Sequence, residues 1–174
     1  QYVSYSLINI MKLLKKILTI LENKCKIKKA QLHKPSFFGN EKKYLNDCIN
    51  SSFAASRGEY NERLEEVLSN YVDVNNVILL NSGTSALHIS LILMGIRPGY
   101  EVILPAMTFV ATANAIRYCN AIPHFVDCDE LTLGIDPIAL KKWLKKIVIK
   151  KGKYSYNKLT NNRIFSIMPM HTFG

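Results

Sequence analysis

The chain has 174 residues, 48% hydrophobic and 21% charged, which fits one globular domain able to bury roughly 70% of the surface its unfolded chain exposes. Eight Gly, six Pro and four Cys exclude collagen-like, low-complexity and disulfide-scaffold classes, and no uncharged apolar run approaches the ~18 residues of a membrane-spanning helix. The net charge of +10 is split: residues 1–35 hold 8 basic and 1 acidic group, residues 36–140 hold 6 and 12, and residues 141–174 hold 9 and none. A nucleic-acid binder concentrates positive charge on its recognition domain, so an acidic centre with lysine-rich flanks argues against that class.

Cys25, Cys48, Cys119 and Cys128 form no CxxC pair, and His33, His88, His124 and His171 show no ligand spacing beside them. Neither a disulfide framework nor a structural zinc site is expected, and the simple reading is four reduced thiols in a cytoplasmic protein. The chain opens on Gln1 rather than Met and stops at Gly174 just after a strand-like run, which reads as a fragment.

Residues 5–23, YSLINIMKLLKKILTILEN, have helical periodicity, with Leu7, Ile10, Met11, Leu14, Leu18 and Leu21 on one face and Asn9, Lys12, Lys16, Thr19 and Asn23 on the other. Such a helix suits a membrane surface. Packing on its own domain or on a partner subunit is the simpler expectation. A signal peptide is poorly supported, for no basic segment precedes the apolar run and no small-residue cleavage site follows it. Residues 1–35 are therefore read as a basic amphipathic helix and connector, and residues 36–174 as the main domain.

Within that domain helices are expected from Glu41 to about Ser51 and from Asn61 to Tyr71. Val77–Leu80 is a continuous apolar run, as in a strand buried on both faces. Asn81–Ser85 is a turn, followed by a helix from Ala86 to Met94. A strand at Glu101–Leu104, a helix at Thr108–Tyr118, a strand at Ile122–Val126, a helix opened by Pro137 and running to about Lys146, and a strand at Ile164–Met168 complete the series. Strands alternating with helices over short connections imply an α/β fold, a mostly parallel sheet with helices on both faces. Lys145–Lys158 reads as a solvated helix end and an exposed loop, its first lysines complementing the helix dipole.

The segment with chemistry is strand, then Ser82-Gly83-Thr84-Ser85, then helix. A helix N-terminus offers unsatisfied N–H groups and partial positive charge to an anion. Gly83 permits a tight turn and close approach, and Thr84 and Ser85 can add hydroxyl donors. Ser and Thr are also ordinary N-caps, so by itself the pattern is equally a plain helix start. No GxxxxGK[ST] and no GxGxxG is present, which argues against P-loop and dinucleotide sites. Phe109, at the start of the next helix, could present its ring to a planar ligand, although aromatic residues after strands are usually core. A phosphate turn and an aromatic platform one βα unit apart fit a phosphorylated flat heterocycle, and pyridoxal 5′-phosphate (PLP) is such a molecule. Asp127, Asp129 and Glu130 read as a solvated loop rather than a metal site.

The segments Gly83–His88, Gly99–Pro105, Thr108–Ile116, Phe125–Asp127 and Pro169-Met170-His171-Thr172-Phe173-Gly174, in this order and spacing, resemble the PLP-dependent nucleotide-sugar aminotransferases of the DegT/DnrJ/StrS type from about Phe38 to Gly174. Gly39–Tyr44, Ser56–Tyr60 and the inserted loop Gly152–Arg163 are similar to the branch making 4-amino sugars for bacillosamine or legionaminic acid. The resemblance implies the truncated large domain of a fold-type I PLP-dependent transferase. It implies that Gly83, Thr84 and Ser85 bind the cofactor phosphate, that Phe109 stacks on the pyridine ring, and that His171 approaches from a strand end. It further implies a homodimer acting on a nucleotide-sugar with glutamate as donor, no metal, and Ser56–Tyr60 facing the neighbour's substrate. The family's Schiff-base lysine and ring-nitrogen aspartate lie beyond Gly174, so no catalytic residue is assigned and the chain as given is not expected to transaminate. A sugar dehydratase of the same family, or a non-catalytic phosphate-binding or membrane-associated α/β module, are the alternatives.

Overall fold

A computed structural model describes residues 2–25, 35–52 and 58–172, with side chains from residue 10 onward in the first segment and excluding that of 25. The expectation for Ser56–Tyr60 falls partly, and that for Phe173 and Gly174 wholly, outside the described residues. The chain divides into two units, Gln1–Glu62 and Arg63–Gly174.

The first unit holds α1 (Tyr2–Cys25) and α2 (Glu41–Asn50), and α3 (Glu59–Val72) begins in it. Helix α1 runs a few residues beyond its expected range at both ends. In α2, Asp47 accepts a hydrogen bond from the Tyr60 hydroxyl at 3.0 Å, and the Tyr44 and Tyr60 rings lie 4.9 Å apart.

The second unit is built on a five-stranded sheet. After α4 (Gly83–Leu93) come β1 (Glu101–Pro105), α5 (Val110–Tyr118), β2 (Ile122–Val126), α6 (Pro137–Ile147), β3 (Val148–Lys151), β4 (Tyr154–Asn157) and β5 (Arg163–Ile167). The strand order is β2-β1-β5-β4-β3. β1 pairs in parallel with both β2 and β5, as the βα alternation predicts. β1 lies between β2 and β5 and is buried along its whole length, which is why it tolerates Val-Ile-Leu in a row.

Helices cover both faces. On one, Val102 and Leu104 pack with Leu91 of α4 and with Ala115 and Ile116 of α5, together with Ala121. On the other, α6 meets β2 through Trp143, whose Nε1–H donates to His124 Nε2 at 2.8 Å. Asp136 caps α6 by accepting from the Ile138 and Ala139 N–H groups, with Pro137 supplying a pre-set φ at the first helical position.

At the outer edge, β2 takes Ile122 N–H to Tyr100 O and gives Val126 O to Ala106 N–H, so Pro123 and Phe125 turn their backbone polar groups outward. Pro123 has no N–H to offer there, which blunts the edge against a further strand.

Two expectations are corrected. Val77–Leu80 is not a strand: no described strand pairs with it, Ile78 is 79% exposed, and the Leu79 N–H goes to Glu65 Oε1 at 2.9 Å. An apolar run marks a segment suited to two neighbours, but a strand exists only once a ladder closes, and the edges of this sheet are β2 and β3. The stretch from Lys145 to Lys158 is not merely a helix end and a loop. It contains the antiparallel hairpin β3–β4, whose β4 joins β5 and makes the sheet mixed. The Lys151↔Tyr154 pair leaves the two-residue loop Gly152-Lys153, and Gly152 has φ +60°, the left-handed conformation such loops require at their first position.

Candidate cofactor site

Both α4 and α5 end at the edge where strands enter the sheet. Leu93 leads in a few residues to β1, Tyr118 leads to β2, and the connections are tied by Gly99 N–H to Asn120 O and Ile122 N–H to Tyr100 O. The helices therefore begin together at the opposite, strand-exit edge, and the His88–Tyr118 ring contact at 5.6 Å holds them side by side. In parallel sheets that edge is where ligands bind. Gly83, Thr84 and Ser85 open α4 there, Phe109 precedes α5 there, and His171 follows β5, the neighbour of β1, at the same edge.

The α4 turn is held by its own polar groups. Ser82 is the N-cap, its hydroxyl accepting from the Ser85 N–H at 3.2 Å, while its carbonyl accepts from the Ala86 N–H. The Ser85 hydroxyl donates to Asn81 Oδ1 at 2.8 Å and lies 3.0 Å from that of Ser82. Among the described residues the N–H groups of Gly83 and Thr84 have no protein acceptor, as the first turn of a helix leaves them. Gly83 does not need glycine's freedom for its backbone, since its φ is outside the left-handed region. What it provides is room: a Cβ there would meet nothing within 4 Å. Those features suit an anion of phosphate size. Replacing Ser82 by Ala should destabilise the unit by about 1 kcal/mol in urea unfolding, because the Ser85 N–H loses its acceptor.

Phe109 is 73% exposed, so its ring is surface rather than core. It is the N-cap of α5 and makes no side-chain capping hydrogen bond. His171 is exposed.

The surrounding loops are cross-linked in ways the sequence does not announce. The Met107 N–H donates to Cys128 Sγ at 3.3 Å, joining the loops after β1 and β2. The Thr172 hydroxyl donates to Leu133 O at 3.4 Å, joining the β2–α6 loop to the segment after β5. Asp129 does turn work: its Oδ1 accepts from the Thr132 N–H at 2.8 Å, the Thr132 hydroxyl at 2.9 Å and the Leu131 N–H at 3.2 Å. These bonds, that from the Thr132 backbone foremost, hold its carboxyl below the ordinary aspartate value.

Beneath the strand-entry edge, the Glu101 carboxylate, 1% exposed, accepts from His124 Nδ1 at 2.8 Å, Asn157 Nδ2 at 2.9 Å and the Thr160 hydroxyl. Trp143 can only donate, so His124 Nε2 accepts from it and the Nδ1–H is the donor directed at Glu101. Burial alone would raise the Glu101 pKa; the hydrogen bonds from Thr160, Asn157 and His124 outweigh it, and the carboxyl titrates below its ordinary value. An acidic residue inside an apolar strand was the available signal for this network.

Comparison with known proteins agrees with this architecture. A family model for DegT/DnrJ/EryC1/StrS aminotransferases matches residues 36–174. GDP-perosamine synthase of Caulobacter vibrioides is 35% identical over 140 residues, covering 80% of this chain and 33% of that protein. GDP-perosamine synthase of Vibrio cholerae is 38% identical over 115 residues, covering 66% and 31%. The crystal structure of NtdA from Bacillus subtilis with bound cofactor PMP (the pyridoxamine form) aligns with a TM-score of 0.56 at 29% identity, over 85% of this chain and 33% of that one. The chain thus spans about a third of the length of these relatives. With the family model covering everything after the first 35 residues, this chain belongs to the DegT/DnrJ/EryC1/StrS aminotransferase family.

Proposed function

We propose that the chain is the cofactor-binding part of a PLP-dependent aminotransferase that moves an amino group from glutamate to a keto nucleotide-sugar for surface-glycan synthesis. The observation that carries this reading is the open, anion-ready start of α4 at the same sheet edge as the exposed Phe109 ring. Family membership supports the reaction class, and the nucleotide-linked sugar in the relatives' names supports the substrate class.

In this reading the Gly83 and Thr84 N–H groups and the Thr84 hydroxyl hold the phosphate. Ser85 turns its hydroxyl proton from Asn81 towards the same oxygens. Phe109 lies against the pyridine ring, and His171 approaches from the end of β5. When bound, PLP supplies an electron sink for bond changes at the Cα of the amino donor. Residues of this chain bind and orient it. None of its lysines lies in the family's catalytic lysine motif, so the 174 residues alone bind the cofactor without turnover. The complete enzyme is proposed to be a cytoplasmic homodimer.

Equilibrium dialysis of the chain against PLP tests the site. Reversible binding is expected. Phe109→Ala should weaken it about fivefold to tenfold, the equivalent of one aromatic stacking contact, and Thr84→Val should weaken both PLP and inorganic phosphate. Binding unchanged by both substitutions, or absent at millimolar PLP, would overturn the assignment.

A further inference from the structure

Helix α1 takes no part in the reading above and precedes residue 36, where the family match begins. Its apolar side chains are not covered: Ile10, Met11, Leu13, Leu14, Ile17, Leu18, Ile20 and Leu21 are each 43–59% exposed. At about 100° per residue they fill one continuous half of the helix circumference. Lys12, Lys15, Lys16, Thr19 and Asn23 lie on the other half, with Lys15 and Lys16 close to its two borders. Packing of this helix on its own domain is therefore not seen among the described residues.

Charge decides which occupant the face fits. Residues 10–24 carry Lys12, Lys15, Lys16 and Lys24 against Glu22, and the sequence continues with Lys26, Lys28, Lys29 and Lys34. Helix α3 also exposes apolar side chains, Leu64, Val67 and Tyr71, but beside Glu59, Glu62, Glu65 and Glu66 with Arg63 as its one cation. An anionic surface would repel α3 and attract α1. No helix among the described residues is long and apolar enough to cross a membrane, so α1 would lie in the interface rather than span it.

We propose that α1 docks on the surface of an anionic phospholipid bilayer. The apolar half enters the boundary between headgroups and acyl chains. The stems of Lys15 and Lys16 follow it down while their ammonium groups stay at the phosphate level. Lys12 and the lysines after Lys24 add long-range attraction to the negative surface. This holds whether or not the chain binds a phosphate cofactor, because none of the residues proposed for that site belongs to the helix.

Vesicle flotation of the full 174-residue chain tests it, since aggregates sink and only lipid-bound protein rises. The chain should float with phosphatidylcholine vesicles containing phosphatidylglycerol, stay at the bottom with phosphatidylcholine alone, and release as salt is raised. Leu14→Asp with Leu18→Asp should abolish flotation. Lys12→Glu, Lys15→Glu and Lys16→Glu together should lower vesicle affinity on the order of 100-fold or more. All five positions are exposed, so far-ultraviolet circular dichroism should show the fold retained. Failure to float with the mixed vesicles, or flotation unchanged in both variants, would overturn the proposal. A dimer in light scattering that Leu14→Asp with Leu18→Asp disperses, without flotation of the parent chain, would assign the face to a second copy instead.

Discussion

Replacing Glu101 by Ala should lower the free energy of unfolding by about 3–5 kcal/mol, the loss associated with breaking a buried, hydrogen-bonded charge. The carboxylate is the shared acceptor for His124, Asn157 and Thr160, which come from β2, β4 and the turn after β4. Without it, the His124 Nδ1–H and the Asn157 Nδ2–H lose their carboxylate acceptor in a largely buried setting, and His124 keeps only its bond from Trp143. Glu101→Gln should be milder. The amide oxygen can keep one side of the network, while the Thr160 hydroxyl can reverse and accept from the new NH₂ group.

The pH dependence has a definite sign. The folded-state pKa of Glu101 is depressed, so its contribution to stability is fully present above the unfolded carboxyl value. It is lost as pH falls through the lower folded value, where the native state must take up a proton. Urea unfolding measured through the acidic range should show a stability slope in the parent that is reduced in Glu101→Gln. An unchanged slope would mean that this carboxylate is not the group the network holds ionised.

The second large effect is expected at Leu91. Its side chain is fully buried among Val102, Leu104, Ala115 and Ile116, where α4, α5 and β1 meet. Leu91→Ala should cost about 2–5 kcal/mol through lost burial and the cavity left behind. Leu93→Ala, two residues along the same helix but at a side chain 81% exposed, should change stability by less than about 0.5 kcal/mol. The contrast also bears on function. The α4–α5 contact sets where Gly83–Ser85 stand relative to Phe109, so PLP binding should weaken in Leu91→Ala and not in Leu93→Ala. A Leu91→Ala protein with unaltered urea midpoint would show that the helices are not held through this cluster.

The candidate site was largely legible as residues and incompletely legible as chemistry. Ser82-Gly83-Thr84-Ser85 stands out because small hydroxylated residues at a helix start are a local pattern, even though the apolar run before them is no strand. That the Ser85 proton is engaged by Asn81, and that Gly83 contributes open space rather than an unusual backbone angle, depended on neighbours in three dimensions. The β3–β4 hairpin is masked in the sequence because its lysines resemble a solvated surface. Its signal was weak: Gly152 in a two-residue loop, with Tyr154 and Tyr156 alternating around Ser155.

By itself the sequence determined what neighbouring residues encode: the start of α6 at Pro137, the βα alternation from Glu101 to about Lys146, and the motifs that belong to one aminotransferase family. Only the tertiary structure decided which edges pair, that Val77–Leu80 remains outside the sheet, and that Glu101 is satisfied by Thr160, 59 positions away. The physical reason is that helix caps and periodicity are satisfied by neighbours in the chain. A strand ladder or a buried carboxylate is satisfied only by partners that folding brings from a distance.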